Sequence, residues 1–517
     1  MNPAVTSPDP GTTRPPAAPP ARAERSSRGA RLAARAEALA TPRAALAVVA
    51  VAALGAVAVF IGRATFPNYD SYYTLIWGQE LASGRLPDYD VFRTPTPHPL
   101  ATLFAALLSP LGGAADRTLV FLALGFHLAL LALLFRFAQM LLGTLVAVVA
   151  VAVLLTRVDL ELFTLRAMVD VPFLALVFGA AVLELSRPRR GGSVLALLGL
   201  AGLLRPEAWV LAGLYVLWLT PAVGVRGFVR YGLMAAAAPI GWALADLVVT
   251  GDPLYSLTST REVAGQFGRQ RSPLEALLLL PDFLGGNEKI VNVVAGGLGG
   301  VLALVLLRRR AALPLALALV GMAVFLAIAA VGLSVIPRYL LIPSLIFNLC
   351  VAAALVGWTL ARDRRVRGAA IALAVLALAL VAFRTPSYAR DLAKLNAQAV
   401  FVREQHLQLE EILERPEVVA LLGSCGRITL PTHSTIPVVR FHTGLGKDAF
   451  EASINQTAPP TRGVLVISDF FNFEPDAARS TSGVSQRSAR KWWSNYPLAG
   501  FERVAENDRW AVYARCG

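Results

Sequence analysis

Long apolar runs alternate with short polar connections along the first three quarters of the chain. Runs of Leu, Ala, Val and Phe lie near residues 44–62, 118–135, 141–155, 168–186, 193–204, 208–222, 231–249, 289–307, 313–333, 339–361 and 369–383. A membrane-spanning helix needs roughly 20 predominantly apolar residues, so the pattern predicts about eleven transmembrane helices, several of them short. Residues 193–222 fit either a helical hairpin or one broken helix. A further stretch, "LATLFAALLSPLGG" (100–113), ends in Pro and Gly, and suits a helix at the interface or packed inside the bundle.

Beyond residue 384 the period changes. "RDLAKLNAQAVFVREQHLQLEEILERPEVVALLG" repeats Leu and Val at three- and four-residue intervals, the signature of an amphipathic helix. "GRITLPTHSTIPVVRFHTG", "GVLVIS" and "RWAVYARC" then read as short β segments between Pro, Gly and Asn. At the other end, residues 1–43 are rich in Pro, Ala and Arg, lack apolar periodicity and read as a disordered tail. The first apolar run has no convincing cleavage site after it and reads as a membrane helix rather than a signal peptide. The expected architecture is a polytopic α-helical membrane protein: about eleven transmembrane helices over 44–383, and a small soluble α/β domain over 384–517.

Composition agrees. Of 517 residues 56% are hydrophobic and 16% charged, against about 45–50% and about 25% in a soluble domain. The net charge of +14 is topogenic rather than a nucleic-acid footprint, because the arginines flank apolar runs. With the N-terminal tail in the cytoplasm, the cytoplasmic connections become "FRFAQ", "SRPRRGG", "GVRGFVRYG", "LRRRA" and "ARDRRVRG". All are basic, as the positive-inside rule requires. Residues 63–117, 156–167, 205–207, 250–288, 334–338 and everything after 384 then lie outside, in a multi-pass protein of the cell membrane. Cys425 and Cys516 fall in the outer domain, where a disulfide can persist, or stand as two thiols; Cys350 sits in a membrane helix.

The outer segments carry the candidate chemistry. Asp70 sits among Tyr69, Tyr72 and Tyr73 after the first helix. A carboxylate partly desolvated there could take a proton from an attacking hydroxyl; the alternative is a solvated loop acid, the reading given to Glu80, Asp88 and Asp90. Arg166, Arg205 and Arg338 stand at outer helix ends, where an arginine binds phosphate oxygens in pairs or snorkels to the headgroups. Glu207 could simply pair with Arg205. His98 in "TPHPL" either fixes a Pro-rich turn, orients a substrate or binds metal. The loop 250–288 adds Arg261, Arg269 and Arg271 beside an apolar run, and either covers a lipid-binding cavity or lies on headgroups. No Walker-type loop, Cys/His metal spacing or nucleophilic triad is present.

Asp70 with "ASGRLPDYDVF" and "PTPHPL" is similar to the first outer loop of the glycosyltransferase C superfamily, most of all its protein mannosyltransferase and aminoarabinose transferase branch. "LRAMVDVPFLALVF", "LAGLLRPEAW" and "VIPRYLLIP" resemble three further family segments, in the same order, over about residues 44–383. The resemblance implies an enzyme that uses a polyprenyl-phosphate sugar donor on the outer face, with a glycan, lipid or protein acceptor. It implies Asp70 as the residue that activates the acceptor hydroxyl. Arg338, Arg205 and Arg166 are the candidates for the donor phosphate, and Tyr69, Tyr73, His98, Asp170, Glu207 and Tyr339 for substrate binding. Many members carry a second acid beside the first; here Ser71 stands in that place. Asp159, Glu161 and Asp170 are candidate substitutes, and a divalent metal stays open. A transporter or flippase of a lipid-linked saccharide is the competing class, and it should place ionisable residues near the bilayer midplane.

Overall fold

The computed structural model describes residues 51, 54–55, 57–63, 65–285, 289–453, 456, 458–468 and 498–517. The expected tail, 1–43, lies outside the described residues, as does much of the first apolar run. Each later run falls on helix. α1 (Tyr69–Ala82), α2 (Pro99–Leu108) and α3 (Ala115–Leu142) are followed by α4 (Thr144–Leu154), α5 (Val158–Leu165) and α6 (Asp170–Ser186). Next come α7 (Gly192–Gly202), α8 (Glu207–Thr250), α9 (Tyr255–Gln266) and α10 (Pro273–Gly285). α11 (Gly296–Leu307), α12 (Ala312–Ala330), α13 (Leu341–Val356) and α14 (Arg364–Leu413) complete the bundle.

Among the described residues, five helical stretches are long and apolar enough to cross a membrane: 99–142, 207–250, 291–330, 337–359 and 364–413. The pair α5 and α6, bent by 113°, makes a sixth if it counts as one span. Some of these stretches hold more than one of the expected runs, one after another through a break. Runs 208–222 and 231–249 both lie in α8, on either side of Gly224 (φ 64°), where the helix breaks. Runs 289–307 and 313–333 join through Arg308 (φ 53°). Two other runs form helices of only 11 residues, α4 and α7. The 193–222 ambiguity resolves as two helices: α7 ends at Gly202, and α8 begins at Glu207 and packs back along it.

α1 is buried without interruption from Ser71 to Gly78, so it has no solvent face. On one side it meets α2 so closely that a Cβ at Gly78 would lie 2.5 Å from the Ala105 carbonyl carbon. Only glycine fits there. On the other side lies the C-terminal domain.

That domain holds a five-stranded sheet of order β2-β1-β3-β5-β4, from β1 (Ile428–Leu430), β2 (Phe450–Ala452), β3 (Gly463–Ser468), β4 (Glu502–Glu506) and β5 (Trp510–Arg515). β1 pairs in parallel with β2 and β3, whereas β5 is antiparallel to β3 and β4. A short helix, α15 (Ile436–Thr443), lies against α1. Cys425 and Cys516 are disulfide-bonded, with Cα atoms 4.7 Å apart and 91 positions between them in sequence. In the chain-entropy account, closing such a loop contributes about 4–5 kcal/mol. It staples β5, the last strand, to the segment before β1.

No break appears at the expected boundary near 384. α14 is one helix of 50 residues running through Pro386, about 75 Å long at 1.5 Å per residue. Its second half joins Tyr72, Tyr73 and Trp77 of α1 and Val464, Trp510 and Val512 of the sheet in a single hydrophobic core. The C-terminal domain is therefore built onto α1 rather than merely tethered to the last helix.

Candidate active site

The N-terminus of α1 is fixed by its cap. Asn68 Oδ1 accepts from the Ser71 amide (2.9 Å) and hydroxyl (2.6 Å), the usual service of Asn at this position. Ser71 Oγ also donates to the Ala167 carbonyl (2.9 Å), and the Asn68 amide to that of Arg166 (3.0 Å), which ties the turn to the α5–α6 bend. Ser71 is thus occupied in holding backbone.

Asp70 projects from this pinned turn. Its carboxylate meets the Arg338 guanidinium at 3.6 Å; the two side chains are 34% and 23% exposed. Arg338 lies in the single 3-10 turn Pro337–Leu340 that opens α13.

Beside Arg338 runs a buried charged network. Arg205 pairs with Asp170, at the first position of α6, and with Glu207, at the first position of α8 (2.8 Å to Glu207). Its guanidinium lies over the Tyr339 ring (4.9 Å) and the Phe173 ring (5.5 Å). Glu207, Arg338 and Tyr339 line one narrow crevice with Phe173. His98 completes the wall. It is 7% exposed, stacks edge-on to Trp242 and hydrogen-bonds the Leu204 backbone. Burial, then the charges of Arg338 and Arg205, push its pKa down to about 3, so it is neutral at physiological pH.

Several polar atoms of this wall are buried without a hydrogen-bond partner: His98 Nδ1, Thr102 Oγ1, Asp170 Oδ2, Glu207 Oε2 and Arg338 Nε. Buried polar groups are normally satisfied, so this concentration marks a surface shaped for polar ligand atoms. A metal is a poorer match. Among the described residues no three His, Cys, Asp or Glu side chains converge as ligands.

The structure brings Asp70, Arg338, Arg205, Asp170, Glu207, His98 and Tyr339 together, and the other candidates have partners of their own. The charge of Arg166 acts on Tyr72 and His406, towards α14. Tyr73 is 2% exposed, packed between Trp77 and Arg440. The Tyr69 hydroxyl donates to the Phe92 and Arg93 carbonyls (3.1 and 3.2 Å). Asp159 pairs with Arg157 (2.8 Å), and Glu161 feels Arg63.

One reading changes in part. Glu80 and Asp88, read as solvated, bond to the C-terminal domain, Glu80 to Arg440 (3.4 Å) and Asp88 to Lys447 (3.0 Å), whereas Asp90 is solvated as expected, 97% exposed with Lys447 at 3.1 Å. In the loop that follows α9, Arg269 reaches the site. The Arg269 carbonyl accepts from Val335 (2.9 Å), and its side chain feels both Arg338 and Asp70. Sequence reasoning passed over Arg93 and His433, which stand beside Tyr69; no spacing or motif marks either.

Among solved structures, ArnT from Cupriavidus metallidurans bound to undecaprenyl phosphate matches with a TM-score of 0.50 and 16% identity, over 92% of this chain and 98% of that one. The fold is that of ArnT. The apo state of the same protein gives a TM-score of 0.50 at 15% identity, over 91% and 98% of the two chains. No protein-family model matches the sequence, and no curated protein does. The ArnT likeness supports the expected resemblance to aminoarabinose transferases and spans both bundle and sheet. A multi-pass membrane protein is the architecture it supports.

Proposed function

We propose that this chain is an integral membrane glycosyltransferase that moves a sugar from a polyprenyl-phosphate donor to an acceptor hydroxyl. The supporting observation is the contact between Asp70 and Arg338, a base and a phosphate-type cation at 3.6 Å within an ArnT fold. The acceptor oxygen attacks the anomeric carbon and loses its proton to Asp70. The bond from that carbon to the phosphate oxygen breaks, and the polyprenyl phosphate departs with one more negative charge. Arg338 stands where it can meet that charge, a task suited to a planar guanidinium. An arriving donor phosphate would compete for Arg338 and release Asp70 towards the acceptor. Arg205, committed to Asp170 and Glu207, holds the crevice wall beside it. His98, neutral, offers a polar atom without adding charge. The basic connections of the sequence put this face and the C-terminal domain outside the cytoplasm.

The test is transfer itself. Purified protein in nanodiscs, given a radiolabelled polyprenyl-phosphate sugar and a membrane extract as acceptor source, should release polyprenyl phosphate and label a new product. Movement of intact donor across sealed vesicles, with no cleavage, would instead establish a flippase. Within the enzyme, Arg338→Ala should raise the apparent KM for donor about tenfold or more, the scale of a charge-assisted hydrogen bond. Arg338→Lys should restore part of the affinity, because a point charge cannot make the bidentate contact. An unchanged donor KM in the alanine variant would remove Arg338 from this role.

A further inference from the structure

Next to Asp70 lies a second group of side chains that the transfer step does not use. Arg93 takes a left-handed backbone conformation (φ 54°) that L-residues other than Asn and Asp seldom adopt. The Tyr69 hydroxyl holds it there through the Arg93 carbonyl, at 3.2 Å. Its guanidinium lies over the Phe267 ring (4.4 Å) and the Phe92 ring (5.2 Å), and Arg269 lies over the same Phe267 ring (4.4 Å). Two cations thus share one ring. Among the described residues Arg93 makes no ion pair and no side-chain hydrogen bond, and its Nε is buried without a partner. A partly desolvated cation so placed calls for an anion.

His433, from the C-terminal domain, closes the group. Its ring lies 5.6 Å from Phe92, 5.7 Å from Tyr69 and 6.4 Å from Phe267, and its Nδ1 is buried without a partner. Burial first, and Arg93 second, push its pKa down to about 3, so it faces a ligand as a neutral ring. Three distant segments therefore meet here: the first loop, the covering loop and the outer domain.

We infer that Arg93, His433 and the rings between them form an acceptor subsite for a saccharide that bears an anionic group. This rests on the glycosyltransferase reading. Aromatic faces suit the C–H face of a sugar ring, and neutral His433 suits a hydroxyl. The Arg93 fork suits a carboxylate or phosphate. The same oxyanion chemistry could come from the donor lipid, but the donor phosphate already has Arg338. The anion at Arg93 belongs to the acceptor.

The experiment uses the full chain in nanodiscs, titrated with methyl glucuronide, glucose 6-phosphate and methyl glucoside and followed by saturation-transfer NMR. The two anionic sugars should bind about tenfold or more tightly than the neutral one. Arg93→Ala should erase that preference while leaving undecaprenyl phosphate binding intact, which shows that the fold survives. His433→Ala should weaken all three sugars. Saturating undecaprenyl phosphate should leave the preference in place. Equal binding of the three sugars, or no binding of the anionic ones, overturns the subsite. Displacement by undecaprenyl phosphate overturns it too, assigning the anion to the donor. If the sugars bind as expected but undecaprenyl phosphate does not bind at all, the donor assignment fails and the subsite stands.

Discussion

Asp70→Asn should lower sugar transfer by about 10²–10⁴, the range typical for loss of a general base, while the protein still inserts and binds undecaprenyl phosphate. The substitution changes little volume, and Asn keeps the polar contacts of the first turn of α1. It also removes the negative partner of Arg338, which sits 3.6 Å away. Donor affinity should therefore hold or rise as turnover collapses. That opposite movement separates a lost base from a damaged fold. Single-turnover transfer and lipid binding, measured on one preparation, check it. Full transfer in the purified variant would sink the assignment of Asp70.

The second large effect falls on stability. Arg205→Ala leaves two buried carboxylates, Asp170 (0% exposed) and Glu207 (8%), facing each other without their shared cation. Breaking a buried pair from one side costs about 3–5 kcal/mol, because the remaining charge has no counterpart. The variant should unfold at markedly lower temperature or fail to accumulate. Adding Asp170→Asn and Glu207→Gln should recover much of the loss, since the network's cost lies in its charges. The recovered triple variant should remain a poor enzyme, lacking the wall beside Arg338. Thermal melts in detergent decide the matter; an Arg205→Ala melt equal to that of the parent would show that the network is not needed for the fold.

Much of this architecture is legible in the residues. Apolar runs specify helix wherever backbone groups must be satisfied without water, and the runs from residue 118 onward do lie on helix. The sequence offers Cys425 and Cys516 as a disulfide or as two thiols, and the structure forms the disulfide; Asp70 and Arg338, marked for base and phosphate, meet at 3.6 Å. What escapes is set by partners far along the chain. Glu80 looks like a wet loop acid because Arg440, which binds it, lies 360 positions away. In α14 the change from a membrane-type to an amphipathic pattern reads as a domain boundary. The backbone continues through it, since Pro386 forfeits one hydrogen bond and bends a helix without having to end it. Arg93 and His433 each look ordinary in their own segment, and only the fold makes them neighbours.

The common core of α1, α14 and the sheet bears on how the protein is made. α1 leaves the ribosome long before Trp510 and Val512, which pack in its core. At about 5–20 residues per second, the intervening chain takes about 20–90 s to synthesise. Throughout that interval Tyr72 and Trp77 have no native cover on the domain side. Assembly of the Asp70 turn is then a late event that waits for synthesis of β5. Chains arrested before residue 428 should yield to limited proteolysis within 69–82, and full-length chains should resist. Equal resistance in both would show that α1 reaches its final surroundings without the sheet.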